Sequence, residues 1–560
     1  MKTTFNYDHY FLYQELSDHL TELEKKYPDI MHVDIIGTTP KDRHVYAVTI
    51  SKGDSDKKPA YYIDGNTHAG EVTGSMAAMH TIDYLVTNYK EDKKVTDLID
   101  RFTFYIIPRI SPDGAEAYLT SETKLRSVDR PYLTETQENG LYDDDIDHDG
   151  VLRMMRVKTP YGAWKVNPDN PNVMLKRQPD EFEGTFYNVY PEGQVKGFDG
   201  DHFKNANPLW GLDFNRNYPF GWFSEVRQPG AGPYPLSNME NKAVVDFVLA
   251  HKNIGGVATH HTFGGMILCP PGTRPEKTSS KLDQKILKEI GKMGTEEMGY
   301  PVVAIFDSFT EDQASYSSGA FDDWCYQQNG IPAYTTELWN MVSRAGIKQT
   351  WPSLPKTDKE MAEEYQKLID WCQENAPEAF KPWQTCSHPQ FGEVEIGGLD
   401  MKFSLQNPPV AFLTQEVEKT TRFCLRMAAT LPQLTFDHVD TIKIGEGTYR
   451  IEAHIANKGY LPTYLTDETK KMKIVSPVKV ELLEEKTKAV SPTEIDLGNL
   501  EGFSGVATDY FFDHSINTFD YEPIMKRATF FVEGKSGDTL KLKASCHKGG
   551  TIETTITLND

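Results

Sequence analysis

Thr67-His68-Ala69-Gly70-Glu71 is the stretch on which the reading of this chain turns. An apolar run, Tyr61-Tyr62-Ile63, precedes it, and a helical pattern over 72–89 follows. A His and a Glu three residues apart, at a turn between strand and helix, can point at one metal ion. The neutral imidazole offers a ring nitrogen and the carboxylate its oxygens, and both suit zinc. Alone, such a pair is a weak signal, no more than two polar residues on a loop. It acquires meaning from a third ligand, a base and a substrate clamp downstream.

Outward from this stretch the chain alternates strands and helices. Phe11, Leu12, Leu16, Leu20 and Leu23 have helical spacing. Residues 32–36, 45–50 and 102–107 read as strands, the last running into Pro108-Arg109-Ile110-Ser111-Pro112-Asp113-Gly114. The same alternation returns with helices at 243–250, 282–298, 361–374 and 412–429 and strands at 255–259 and 333–336, which predicts an α/β sheet. Between them, residues 119–208 lose all periodicity and are rich in Asp, Pro, Gly and Tyr. So long a structureless run is unusual inside a compact domain, so an ordered insertion is expected. It holds Asp145-Ile146-Asp147-His148-Asp149-Gly150, which resembles the first half of a calcium loop. Position 12 of that pattern is Arg156 instead of Glu, so weak calcium binding at Asp145, Asp147 and Asp149 is the expectation. Beyond Pro432 the period changes to two. Thr448-Tyr449-Arg450-Ile451-Glu452-Ala453-His454-Ile455 alternates strictly, and 478–483, 528–532, 540–544 and 552–558 do so loosely. Turns such as Asn457-Lys458-Gly459 and Lys548-Gly549-Gly550 separate these runs, as in a β-sandwich.

The 560 residues suffice for two or more domains, here 1–431 and 432–560. Formal net charge is 59 minus 82, or -23, which argues against a nucleic-acid-binding surface and against attraction to anionic membranes. The six cysteines are scattered, with no CxxC pair, and read as reduced thiols. The N-terminus shows no apolar core of a signal peptide and no run reaches the length of a transmembrane helix, so cytoplasmic residence is the expectation. Oligomeric state leaves no mark in the sequence.

The third ligand is sought after the strand at 255–259, where His260 and His261 follow. Adjacent strand residues point to opposite faces, so only one of them is well placed. Between the ligands lies Gly211-Leu212-Asp213-Phe214-Asn215-Arg216-Asn217-Tyr218. Asn beside Arg provides an amide and a planar cationic fork that suit a carboxylate. Asp213 could orient a ligand His through its second ring nitrogen. Glu337 ends an apolar strand, where at a zinc site it could take a proton from activated water.

In this order the pieces resemble the zinc metallocarboxypeptidases, the carboxypeptidase A-like family, over about residues 5–400 with 119–208 set apart. The resemblance implies a mixed-sheet α/β zinc carboxypeptidase-like domain, with zinc on His68, Glu71 and His261. The family's NPDG turn becomes Ser111-Pro112-Asp113-Gly114, and 13 residues past Asp113 its carbonyl-polarising arginine falls on Arg126. The clamp for the substrate carboxylate falls on Asn215 and Arg216, and the general base on Glu337, 13 residues after Trp324. The family's mobile tyrosine falls on Tyr316 through a one-residue deletion, and the base of its side-chain pocket on Asp322, with Asp323 the neighbouring alternative. An arginine common inside the family's HxxE is replaced by Gly70. The C-terminal segment resembles immunoglobulin-like modules appended to bacterial enzymes. The activity implied by the resemblance is that of a zinc peptidase acting on peptides with a free C-terminal carboxylate, preferring basic terminal residues or diaminopimelate. Enzymes of the same fold that cleave γ-D-glutamyl-diaminopimelate bonds or deacylate amino acids, and a catalytically silent binding protein, are the alternatives.

Overall fold

The apolar run at 61–63 lies at the middle of an eight-stranded mixed sheet. The computed structural model describes residues 1–132, 138–200, 202–206, 211–483, 487–505 and 523–559. Across the sheet the strands are Met31–Thr38, His44–Ile50, Thr103–Ile107, Ala60–Gly65, Ile254–Thr262, Ala333–Leu338, Met266–Cys269 and Val302–Ala304. Thr103–Ile107, Ala60–Gly65, Ile254–Thr262 and Ala333–Leu338 run parallel. Parallel strands are covered on both faces, which is why Ala60–Gly65 and Ile254–Thr262 are buried at every position. Helix Val410–Ala428 packs against both Val72–Asn88 and Lys281–Met298, and all three lie on the sheet. On this face Tyr61 donates to the Met427 sulfur, whereas the next residue, Tyr62, meets Phe321 on the opposite face.

Residues 119–208 contain, among those described, the strands Gly140–Asp143, Met154–Lys158, Trp164–Val166, Met174–Lys176, Tyr187–Pro191 and Gly193–Lys196. Four of these join a six-stranded sheet completed by the hairpin Phe380–His388 and Gly392–Leu399, through the pairing of Gly392–Leu399 with Met154–Lys158. The hairpin follows helix Asp358–Asn375, so the insertion is stitched to the far end of the α/β domain.

The calcium-like loop departs from its expected ligand set. Lys381 from the hairpin places its ammonium 2.6 Å from both Asp147 Oδ2 and Asp149 Oδ2, and Arg153 holds Asp149 at 2.7 Å. Asp145 accepts the backbone N–H groups of Asp149 and Gly150, closing the turn. Asp149 is thus taken by two protein cations. The carboxylate that gathers with Asp145 and Asp147 is the fully buried Glu192, 45 residues beyond Asp147 and invisible to a loop pattern.

Past residue 432 two antiparallel four-stranded sheets share one apolar cluster, the arrangement of a β-sandwich. One comprises Leu434–Gly445, Thr448–Asn457, Met525–Glu533 and Lys488–Ala489; the other Glu494–Asp496, Lys479–Leu483, Thr539–Cys546 and Gly550–Thr557. Alternate residues Tyr449, Ile451, Ala453 and Ile455 turn inward against Phe530, Val532, Leu540 and Leu542. Among the described residues no helix is long and apolar enough to cross a membrane.

Lys381→Met is expected to destabilise the insertion by about 1.5–3 kcal/mol, the usual worth of hydrogen bonds to charged groups. Hydrogen exchange at residues 145–150 should accelerate. Millimolar calcium should restore part of that protection in the variant and leave wild-type exchange unchanged, because in the wild type the Lys381 ammonium already holds Asp147 and Asp149 together.

Candidate zinc centre and active site

The parallel register brings the chemistry together at the C-terminal ends of three adjacent strands, where open α/β sheets place their ligands. Ala60–Gly65 ends at Asn66, which takes a left-handed φ of 63° and donates through its side chain to the carbonyls of His68 (2.7 Å) and Ala69 (3.2 Å). That fold of the loop turns His68 inward and places Glu71 at the N-cap of helix Val72–Asn88. On the neighbouring strand His261 pairs with Glu337 across the sheet, and His260 with Thr336. In-register parallel neighbours share a face, so His261 and Glu337 face the same side. His260 points the other way, its ring against Thr336 Oγ1 (2.7 Å) and Cys424 Sγ (3.5 Å).

Three ligand atoms converge. His68 Nδ1 lies 2.8 Å from Glu71 Oε1, His261 Nδ1 lies 2.8 Å from Glu71 Oε2, and the two Nδ1 atoms are 3.1 Å apart. All three residues are buried. At most one proton can sit between two imidazole nitrogens that face each other, and Glu71 Oε2 meets no donor in hydrogen-bonding geometry. Two ring nitrogens and a carboxylate aimed at one point, short of protons, are the donor set of a zinc ion. The electrostatics agree. Burial works to lift the Glu71 carboxyl, but His68 and His261 outweigh it and hold it well below the usual carboxylate range. Burial works to depress His261, but Glu71, followed by Glu337 and Asp64, lifts it to about 9, so the surroundings favour a cation. His260, buried with no such carboxylates in contact, is pushed down to about 3.

Asp213 ties the remaining groups to this point. It accepts from His68 Nε2 at 3.0 Å and from Arg126 Nε at 2.8 Å, and its Oδ1 caps the turn Phe214–Arg216 through Asn215 N (2.8 Å). Arg126 is carried alongside the metal loop by the bond from Ala69 N to its carbonyl (2.8 Å). The neighbouring Ser127 carbonyl accepts from Ser111 Oγ and lies where a Cβ on Gly114 would fall, so the Ser-Pro-Asp-Gly turn needs its glycine to let this segment approach. Gly70 has a similar reason. A Cβ there would lie 2.7 Å from Tyr118 Cε2 and 2.8 Å from Gln406 Nε2, so a side chain at this position would have to displace both.

His68, Glu71, Arg126, Asn215, Arg216, His261, Asp322, Asp323 and Glu337 line one cavity of about 570 Å³, with Phe263 and Phe309 half-exposed at its walls. Glu337 is half-buried, and among the described residues its carboxylate has no hydrogen-bond partner. Burial first, then the Glu71 charge, lift it to about 8. Both members of the acidic pair reach the cavity: Asp322 accepts from Thr335 Oγ1 and Asp323 N (2.8 Å each), and Asp323 from Gly272 N (2.8 Å) and Gln327 Nε2 (2.6 Å). Tyr316 does not line the cavity. Its ring packs near Phe223 and Phe306, while Ser315 and Ser317 on either side reach the wall. Thr335, Glu311 and Asp312 also line it and carried no sequence signal, since they belong to no spaced motif.

Residues 16–363 match the family described as zinc carboxypeptidase, and the chain belongs to that family. Residues 433–557 match a domain of unknown function. Carboxypeptidase A4 of Mus musculus is 23% identical over 336 residues, which cover 60% of this chain and 63% of that protein. Carboxypeptidase O of Bos taurus is 23% identical over 349 residues, covering 60% and 72%. The chain therefore spans less than two thirds of the first of these relatives. Among solved structures, carboxypeptidase A from Helicoverpa armigera matches with 18% identity and a TM-score of 0.40 over 67% of this chain and 75% of that one.

Zinc analysis of purified protein should give one tightly bound ion per chain. His261→Ala should lose it, and His260→Ala should retain full stoichiometry; the reverse result would move the ligand to His260.

Proposed function

We propose that the chain is a zinc-dependent metallocarboxypeptidase that hydrolyses the C-terminal peptide bond of its substrate, with Glu337 as general base. The observation that carries this reading is the single cavity that gathers the three ligand side chains, an unpaired carboxylate and two arginines. Zinc, when bound, supplies Lewis-acid polarisation of the scissile carbonyl and makes water more acidic. Glu337 takes the proton of the attacking water and passes it to the leaving amine; the charge of zinc, when bound, favours the ionised carboxylate that the first of these steps needs. Arg126, aimed by Asp213, offers its guanidinium to the charge that develops on the carbonyl oxygen. Asn215 and Arg216 pair with the terminal carboxylate and so confine cleavage to the chain end. Tyr316 can join them only by leaving its place near Phe223 and Phe306.

The pocket chemistry favours a cationic terminal side chain. Asp322 and Asp323 are both buried, and their partners in hydrogen bonding are neutral. A buried carboxylate is costly unless paired, and a Lys, Arg or diaminopimelate side chain would pair it. Burial first, then Asp322, push the Asp323 carboxyl up to about 7, with Arg274 pulling the other way. The pocket thus gains negative charge as pH rises through about 7. The C-terminal sheets we read as an immunoglobulin-like support module. Lys548 Nζ donates to Ile254 O at 2.6 Å, Asp467 N to Asp283 Oδ1 at 2.8 Å, and Arg274 pairs with Glu468 at 3.1 Å, all of which brace the α/β domain.

Glu337→Gln should keep its zinc and lower kcat by about 10²–10⁴-fold on the best peptide found in a mixed library that includes muropeptides. Near wild-type turnover in that variant removes Glu337 from the role. For peptides differing only in the last residue, kcat/KM should favour Lys and Arg over Leu and Phe, and the ratio should rise from pH 6 to pH 8. Asp322→Ala should shrink it. A wild-type preference for Leu or Phe excludes the acidic pocket.

A further inference from the structure

A helix beginning at Val72 has an unusual problem at its first turn. Its N-cap residue is Glu71, and an acidic N-cap ordinarily accepts from the free backbone N–H groups of that turn. The Glu71 carboxylate instead turns to His68 and His261, and the helix has no side-chain cap from its own N-cap residue. The missing acceptor comes from 334 residues away. Asn407 Oδ1 accepts from Thr73 N (3.1 Å) and Thr73 Oγ1 (2.8 Å), while its Nδ2 donates to Gly70 O (2.7 Å). One amide thus grips the backbone on both sides of Glu71.

We infer that Asn407 is a positioning residue for zinc, holding the loop that carries Glu71 and His68 from a segment beyond the residues matched to the family. The inference rests on the reading of His68, Glu71 and His261 as the zinc ligands. Asn407 is fully buried and is itself fixed: its Nδ2 also lies 3.2 Å from Tyr118 Oη and 3.1 Å from Lys402 O, and its own N–H donates to Lys402 O at 3.0 Å. The turn before it, Met401–Gln406, is capped by Asp400 through Lys402 N (2.9 Å) and Phe403 N (3.2 Å). Lys402 Nζ fastens it to the carbonyls of Tyr118 (2.9 Å) and Ser121 (2.7 Å). This turn directly follows strand Gly392–Leu399, which pairs with the insertion. The insertion sheet, the turn and Asn407 therefore form one connected support under the metal loop, built wholly by residues outside the HxxE motif. By releasing Glu71 from capping, Asn407 leaves that carboxylate free to serve the metal without leaving the helix end unsatisfied.

The test is zinc affinity, measured with zinc alone by competition against a chromogenic chelator, alongside melting temperatures with and without zinc. Asn407→Ala is expected to weaken zinc by roughly 10–100-fold, as loss of outer-shell partners usually does, and to speed zinc release. Asn407→Asp, nearly isosteric and still able to accept from Thr73, is the second variant. It loses the donor to Gly70 O and sets a charge beside Glu71, so it too should bind zinc at least tenfold more weakly. A purely structural asparagine would lower the melting temperature of the zinc-free protein and leave zinc affinity within threefold of wild type; that result in the folded variant overturns the inference. If wild-type protein binds no zinc, or His261→Ala binds it as tightly, the ligand assignment itself has failed, which is a separate outcome.

Discussion

One buried carboxylate holds the active-site region in register with itself. Asp213 accepts from a ring nitrogen of His68, from the Nε of Arg126 and from the backbone of Asn215. Burial alone would lift its pKa. Arg126, His68 and Arg216 outweigh burial and hold it well below the usual carboxylate range, so it stays charged. A charge in such a place is tolerable only with partners on all sides, and here those partners belong to three sequence-distant parts of the site. The imidazole that points at the metal, the guanidinium beside it and the turn that carries Asn215 and Arg216 are set by the same two oxygens.

Two adjacent histidines on one strand show how environment divides identical side chains. His260 faces helix Val410–Ala428, with the Cys424 thiol of that helix and the Thr336 hydroxyl of the neighbouring strand as its partners, and burial keeps it neutral. His261 faces Glu71, with Glu337 and Asp64 near enough to act on it, and is driven the opposite way. The second environment is short of positive charge. Zinc on the three converging ligand atoms is the natural counterweight, and the cavity beside them is lined by Arg126, Asn215, Arg216 and Glu337.

The insertion and the segments beyond residue 363, where the family match ends, are structurally engaged. The insertion shares its sheet with the hairpin at 380–399, the turn after that hairpin leads to Asn407, and Asn407 grips the metal loop. The C-terminal sheets meet the opposite, N-terminal end of the central strands at Ile254 through Lys548. The site is thus supported from beside and from below by segments with no ligand of their own.

The helices of the α/β domain and the strands of the C-terminal sheets were legible because burial imposes periods of 3.6 and 2 on the chain, as at 282–298 and 448–455. His68 and Glu71 were legible because three residues of one loop suffice to aim both at a metal, and Arg126 and Glu337 through fixed offsets from a turn and a tryptophan. The insertion's strands were not. They are short and only partly buried, so no period develops, and their partner strand lies more than 200 residues on. Parity along the strand left His260 and His261 equivalent; the family resemblance chose His261, and the register with Glu337 puts that histidine on the face of the site. Lys381 on Asp147 and Asp149, Glu192 beside Asp145, Tyr316 away from the cavity and Asn407 at the helix start likewise had to await the folded chain. Each is a pairing between residues far apart in sequence. Such pairings leave no repeating mark on the chain, and only the packing of one element on another decides which groups meet.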